Sequence, residues 1–130
     1  VTALTLRNVA VNQQGSTIIR RVKLYKSGTS TTNASFRVHI FKASPSTVTN
    51  GDNGAFSVSG VADYCGALDV TIDRAFTDGA CGFGVPVAGS ELMVRLGGVA
   101  NTLYALIEAR AAYTPASAEV FTLALEAVEE

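Results

Sequence analysis

The residues able to do chemistry in this chain are few and scattered. The single histidine, His39, lies in the alternating run Ser35-Phe36-Arg37-Val38-His39-Ile40-Phe41. An imidazole acting as acid or base needs an orienting carboxylate and a nucleophile or substrate proton within reach, and the sequence nominates neither. On an alternating strand His39 falls on the outward face, between two core residues. One histidine also speaks against the metal centres of double-sheet barrels, which generally use several. Cys65 and Cys81 are each followed by glycine, do not form a C-x-x-C pair and cannot hold zinc alone. A disulfide between them would be worth about 3 kcal/mol in the chain-entropy model. The opening Val1-Thr2-Ala3-Leu4 lacks the basic and long apolar regions of an export signal, so two free thiols are expected, with an initiator Met removed.

Asn50-Gly51-Asp52-Asn53-Gly54 is rich in oxygen donors, but it lacks the acidic spacing and terminal Glu of a calcium loop. Its residue types tolerate positive φ, which makes it a turn. Asp69, Asp73 and Asp78 could supply paired carboxylates for glycoside hydrolysis. That Asp69 and Asp73 share a strand face is, however, expected of any half-exposed strand. No nucleophile elbow, phosphate-binding loop or dinucleotide fingerprint is present. The expectation is a protein that is not an enzyme, with no catalytic residue, no cofactor and no metal.

The elements that would carry these residues read as strands. Phe36, Val38 and Ile40 alternate with Arg37 and His39; Leu68, Val70 and Ile72 with Asp69, Thr71 and Asp73; Leu92, Val94 and Leu96 with Glu91, Met93 and Arg95. Val22 and Leu24 alternate with Arg21, Lys23 and Tyr25. Pro45 ends the central strand, and the Asn-Gly turn leads into a short strand at Ala55-Phe56-Ser57-Val58. Ser27 to Asn33 reads as an exposed loop, and the glycines around Phe83, Val85 and Pro86 as a long irregular stretch. Leu103 to Ala112 and Glu119 to Glu129 favour helix by composition, yet Phe121, Leu123 and Leu125 share one parity. Both segments are read as strands joined by a hairpin connection at Tyr113-Thr114-Pro115, with two helices as the alternative. The sum is an all-β fold: one domain over residues 1–130, an antiparallel two-sheet β-sandwich, jelly-roll-like, of about eight strands, with residues 1–11 as an extended N-terminal arm.

Of the 130 residues, 48% are hydrophobic and only 16% charged, against about 25% charged in ordinary soluble domains. Part of the surface is therefore expected to face other subunits. The net charge of −1, with Arg20-Arg21, Lys23 and Lys26 as the only basic cluster, excludes a general nucleic-acid binder. No apolar run approaches the ~20 residues that span a bilayer, so no membrane partner is expected.

The runs Phe36-Arg37-Val38-His39-Ile40-Phe41-Lys42-Ala43-Ser44-Pro45 and Thr49-Asn50-Gly51-Asp52-Asn53-Gly54-Ala55-Phe56 resemble small structural proteins of tailed bacteriophages, and Thr102 to Pro115 adds to the likeness. The resemblance implies a head decoration, or cement, protein: a β-rich homodimer or homotrimer, made in the bacterial host cytoplasm, that binds the major capsid protein on the outer surface of the virion. It supplies no catalytic residues. Contacts with partners are expected from the arm (Val1, Leu4, Leu6, Arg7, Val9 and Val11) and from Asn50, Asp52 and Asn53 in the turn. The alternative is a carbohydrate-binding or tail-fibre-like adhesion module, weakened by the absence of Trp.

Overall fold

The computed structural model describes residues 4–7, 16–46, 48–49, 57–87, 92–95 and 102–129. It is all-β and antiparallel. The strands are β1 (Leu4–Leu6), β2 (Ser16–Lys26), β3 (Ser35–Phe41), β4 (Val48–Thr49), β5 (Ser57–Val58), β6 (Tyr64–Thr71), β7 (Arg74–Phe76), β8 (Gly79–Pro86), β9 (Leu92–Arg95), β10 (Leu103–Ala109) and β11 (Phe121–Glu129). The only helical turn among the described residues is a 3-10 turn at Val61–Asp63, and no helix there is long and apolar enough to cross a membrane.

Nine strands share one sheet in the order β1-β10-β3-β6-β8-β2-β11, with β7 beside β8 and β9 beside β2; β4 and β5 form a separate ribbon. Backbone pairing thus runs continuously where two separate sheets were expected. The sheet curls nearly into a barrel. Phe36 of β3 meets Phe121 of β11 edge-on, with ring centroids 5.5 Å apart, although three strands separate them in the sheet order. Inside the curl lie Val22, Leu24, Phe36, Val38, Ile40, Leu68, Val70, Ile72, Leu92, Val94, Leu103 and Ala105, all buried. Phe121, Leu123 and Leu125 pack against this core but stay partly exposed. The expected core residue Leu96 lies outside the described residues.

The irregular stretch expected around Phe83 is a strand instead. Gly82 and Gly84 of β8 face β6 so closely that a Cβ on the first would run into the carbonyl oxygen of Thr71 and on the second into that of Asp69. Glycine here marks a close backbone approach, where the sheet folds over. In β2, Arg21 opposes Glu126 and Ile19 opposes Ala127, so Arg20 is an inserted residue, a β-bulge. The inward parity changes there, from Thr17 and Ile19 to Val22, Leu24 and Lys26.

Both C-terminal segments are strands, but Tyr113-Thr114-Pro115 is not a hairpin connection. β10 pairs with β3 and β1, β11 pairs with β2, and residues 110–120 bridge the open end of the curl between them. β4 and β5 pair Val48 with Val58 and Thr49 with Ser57, flanking the Asn50–Gly54 turn, which lies outside the described residues together with Ala55 and Phe56.

Candidate functional site

On the outer face of β10, β3 and β6, the register lines up Glu108, Arg37 and Asp69 across three strands. Arg37 grips Asp69 with two donors, Nε to Oδ1 at 2.6 Å and Nη2 to Oδ2 at 3.0 Å, and Arg110 adds a third at 2.9 Å. The Arg37 hydrogen bond holds the Asp69 carboxyl below the usual carboxylate range. A general acid for glycoside hydrolysis needs the opposite shift; Asp69 is held as the ion-pair partner of Arg37 and Arg110. Asp73 and Asp78 are exposed beyond β6 and in the β7–β8 turn.

His39 has the carboxylate that sequence reasoning did not nominate. Its Nε2 lies 2.9 Å from Glu108 Oε1, and its Nδ1 shares a 3.0 Å hydrogen bond with the Tyr64 hydroxyl. Burial pushes the Tyr64 phenol up from its ordinary value. Both ring nitrogens are thus occupied by the protein, on an open sheet face. The missed signal was distance in sequence: Glu108 arrives from β10, a segment read as a strand with helix as the alternative.

A second ionic cluster sits inside the open end of the curl. Lys26 Nζ donates to Glu119 Oε2 at 3.1 Å, with 0% and 1% of the two side chains exposed. The Tyr113 hydroxyl donates to the other oxygen, Oε1, and Lys26 Nζ lies 5.2 Å from the centre of the Tyr113 ring. Burial alone would favour the neutral forms, but the hydrogen bonds from Tyr113 and Lys26 outweigh it and hold Glu119 below its ordinary value. Burial likewise pulls Lys26 down, but its contacts with Tyr113 and Glu119 win and raise it. Lys26 was expected in a surface cluster with Arg20, Arg21 and Lys23. Its parity with Val22 and Leu24 was the available sign that it points inward.

The outer face of β7, β8 and β2 mixes exposed apolar side chains with the cations Arg21, Lys23 and Arg74. Phe76 is 55% exposed, Phe83 49% and Val85 63%, with Tyr25 beside them and Val120 at 63% at the edge. Tyr25 opposes Cys81, and Lys23 opposes Phe83. The Arg21 guanidinium covers the Phe83 ring at 4.4 Å, and Lys23 Nζ lies 5.1 Å from the Tyr25 centroid. An open groove of about 370 Å³ runs here between Tyr25, Phe76, Asp78, Val120 and Thr122. This arrangement suits contact with a surface better than chemistry on a small molecule. Both cysteines are free, and burial pushes the Cys65 thiol up. Among the described residues no group of three His, Cys, Asp or Glu could hold a metal ion.

Of the expected contact residues, Leu4 and Leu6 lie in β1, paired to Ala105 and Leu103; Leu4 and Arg7 are exposed, and Leu6 packs against the core. Val1, Val9, Val11, Asn50, Asp52 and Asn53 lie outside the described residues. No family model matches the chain, and neither a curated protein nor a solved structure matches it.

Proposed function

We propose that this chain is a head decoration protein of a tailed bacteriophage, a cement protein that binds the outer surface of the capsid as a homodimer or homotrimer. The observation that carries the reading is the set of exposed apolar groups on β7, β8 and β2, Phe76, Phe83, Val85 and Tyr25, on a chain only 16% charged. Exposed aromatic and aliphatic groups on the outside of the sheet fit a protein surface, and several weak contacts from one oligomer add up through effective concentration. The fold fits a jelly-roll-like double layer. β1 pairs with β10 and β2 with β9, the nested order that arises when one long hairpin rolls up. The two halves of the curled sheet then serve as the two sheets of a flattened sandwich. Residues 1–11 and the 50–54 turn are the further candidate contacts.

The test is co-sedimentation with undecorated capsids of the phage that encodes the chain. The intact protein should bind at saturable stoichiometry. The Phe83→Ser/Val85→Ser variant should keep its circular dichroism spectrum and bind at least about tenfold more weakly, as expected for loss of contact hot spots. Absence of binding by the intact protein would remove the reading. Tyr25 and Phe83 also give the adhesion alternative two partly exposed aromatic side chains, and a glycan array separates the two readings.

A further inference from the structure

We infer that the free edge of β11 is a self-association site, where a second copy of this chain adds its own β11 as the next strand. The inference deepens the oligomeric part of the proposed function and names its interface. β11 ends the sheet: among the described residues it pairs with β2 and with no other strand. It is nine residues long, Phe121-Thr122-Leu123-Ala124-Leu125-Glu126-Ala127-Val128-Glu129, without proline or lysine. Its charges are two glutamates, and the neighbouring bulge lies in β2 rather than in β11 itself; such a long edge is a template for another strand. β1, the strand at the other end of the sheet, has only three residues.

The backbone shows which groups are on offer. The Ser27 N–H donates to the Val120 carbonyl at 3.0 Å, and the Val120 N–H donates back to Ser27 Oγ at 3.0 Å. Thr17 Oγ1 donates to the Val128 carbonyl at 3.4 Å. The backbone groups of Val120 and Val128 therefore face β2. In an antiparallel ladder the direction alternates residue by residue, and the bulge residue, Arg20, is on β2, so β11 keeps its alternation throughout. Thr122, Ala124 and Glu126 also face β2, whereas Phe121, Leu123, Leu125 and Ala127 present their N–H and C=O groups to the open edge. Their side chains face the core side, where Phe121, Leu123 and Leu125 remain half-covered.

A second copy fits this edge because the strand is self-complementary. Antiparallel pairing about a two-fold axis at Leu125 is the register that engages all of Phe121–Glu129. Leu125 then faces its counterpart, Leu123 faces Ala127, Thr122 faces Val128 and Phe121 faces Glu129. Glu126 faces Ala124, so no two carboxylates oppose each other. The half-covered side chains of both copies meet along one continuous face.

The experiment uses the purified chain without capsids, so its failure is separate from failure of the decoration reading. Analytical ultracentrifugation across a concentration series should show a monomer–dimer equilibrium. Ala127→Pro removes an N–H that points to the open edge rather than to β2, so the variant should fold with an unchanged circular dichroism spectrum and dimerise about tenfold more weakly or worse. Ala124→Pro removes an N–H bonded to β2 and should lower the melting temperature instead. In a Cys65→Ser/Cys81→Ser background, Leu125→Cys should give a covalent dimer on oxidation, because directly opposed residues lie within disulfide reach. A monomeric or trimeric intact chain would overturn the inference, as would an Ala127→Pro variant that dimerises normally. If Ala127→Pro does not fold, the Leu125→Cys cross-link decides: its formation supports the edge pair and its failure overturns it.

Discussion

On the outer face of β10, β3 and β6, Arg37 and Asp69 meet at 2.6 Å with about a third of each side chain exposed, 31% and 36%. At the open end of the curl, Lys26 and Glu119 meet at 3.1 Å with almost nothing exposed. The outer cluster has the more elaborate geometry, a two-pronged guanidinium joined by Arg110 and flanked by His39, Glu108 and Tyr64. The inner cluster has one ammonium, one carboxylate and one phenol. Solvent reverses the ranking that the hydrogen-bond tally suggests. Water competes for and screens the outer charges, so their loss costs little. Around Lys26 water is excluded, and removing one partner leaves the other buried and unpaired.

The largest effect should therefore follow Glu119→Ala. It strands the Lys26 ammonium and the Tyr113 hydroxyl together, and should lower unfolding free energy by about 3–5 kcal/mol in chemical denaturation. The double variant Lys26→Met/Glu119→Leu should recover most of that loss, because an apolar pair fills similar volume without a buried charge. If the double variant is no better than the single one, burial is not what separates the two clusters. As a scale, Val70→Ala in the core should cost about 2 kcal/mol through its cavity.

Acid sharpens the comparison. Glu119 has a folded-state pKa below its unfolded value, so its contribution is complete above the ordinary carboxylate value of about 4.3 and is lost as pH falls through the folded pKa. Melting temperature should fall steeply below about pH 4, and Glu119→Gln should flatten that limb. Lys26 has the reverse sign. Its raised pKa gives stability that is present below about 10.4 and lost as pH rises beyond it.

A smaller effect is expected for Asp69→Asn, at most about 1 kcal/mol, and 1 M salt should remove most of the difference from the wild type while leaving the Glu119→Ala deficit in place. The smallest is His39→Gln, about 0.5 kcal/mol in the same denaturation assay: only 13% of the side chain is exposed, but a Gln amide can keep one of its two hydrogen bonds, to Glu108 or to Tyr64.

The strands were legible wherever a period of two ran without interruption, as in Phe36, Val38 and Ile40 or Leu68, Val70 and Ile72. Two physical causes hid the rest. Gly82 and Gly84 carry no side chain to show a period, so β8 read as irregular although its Phe83 and Val85 share the outward parity. Arg20 shifts the parity of β2, which hid its inward start at Thr17 and Ile19, and the charge of Lys26 masked a parity it shares with Val22 and Leu24. The Glu108–His39 and Glu119–Lys26 pairs join residues far apart in the chain, and alternation assigns a residue to a face without naming its neighbour on the next strand. The exposed face of Tyr25, Phe76 and Phe83 was invisible for the same reason, since its residues come from three strands.

The pairing of β2 with β11 has a consequence for how the chain folds. Arg21 and Glu126, joined across it, are 105 residues apart in sequence. On its other side β2 pairs with β8 and β9, which begin at Gly79 and Leu92. During synthesis the eleven residues of β2 stay without either neighbour until residue 79 and beyond have been made. Closing loops of this length costs entropy before any contact repays it. Folding should accordingly be slow for a domain of this size. Until it finishes, β2 keeps both edges bare and Ile18, Ile19, Val22 and Leu24 uncovered, which leaves it open to chaperones and to aggregation.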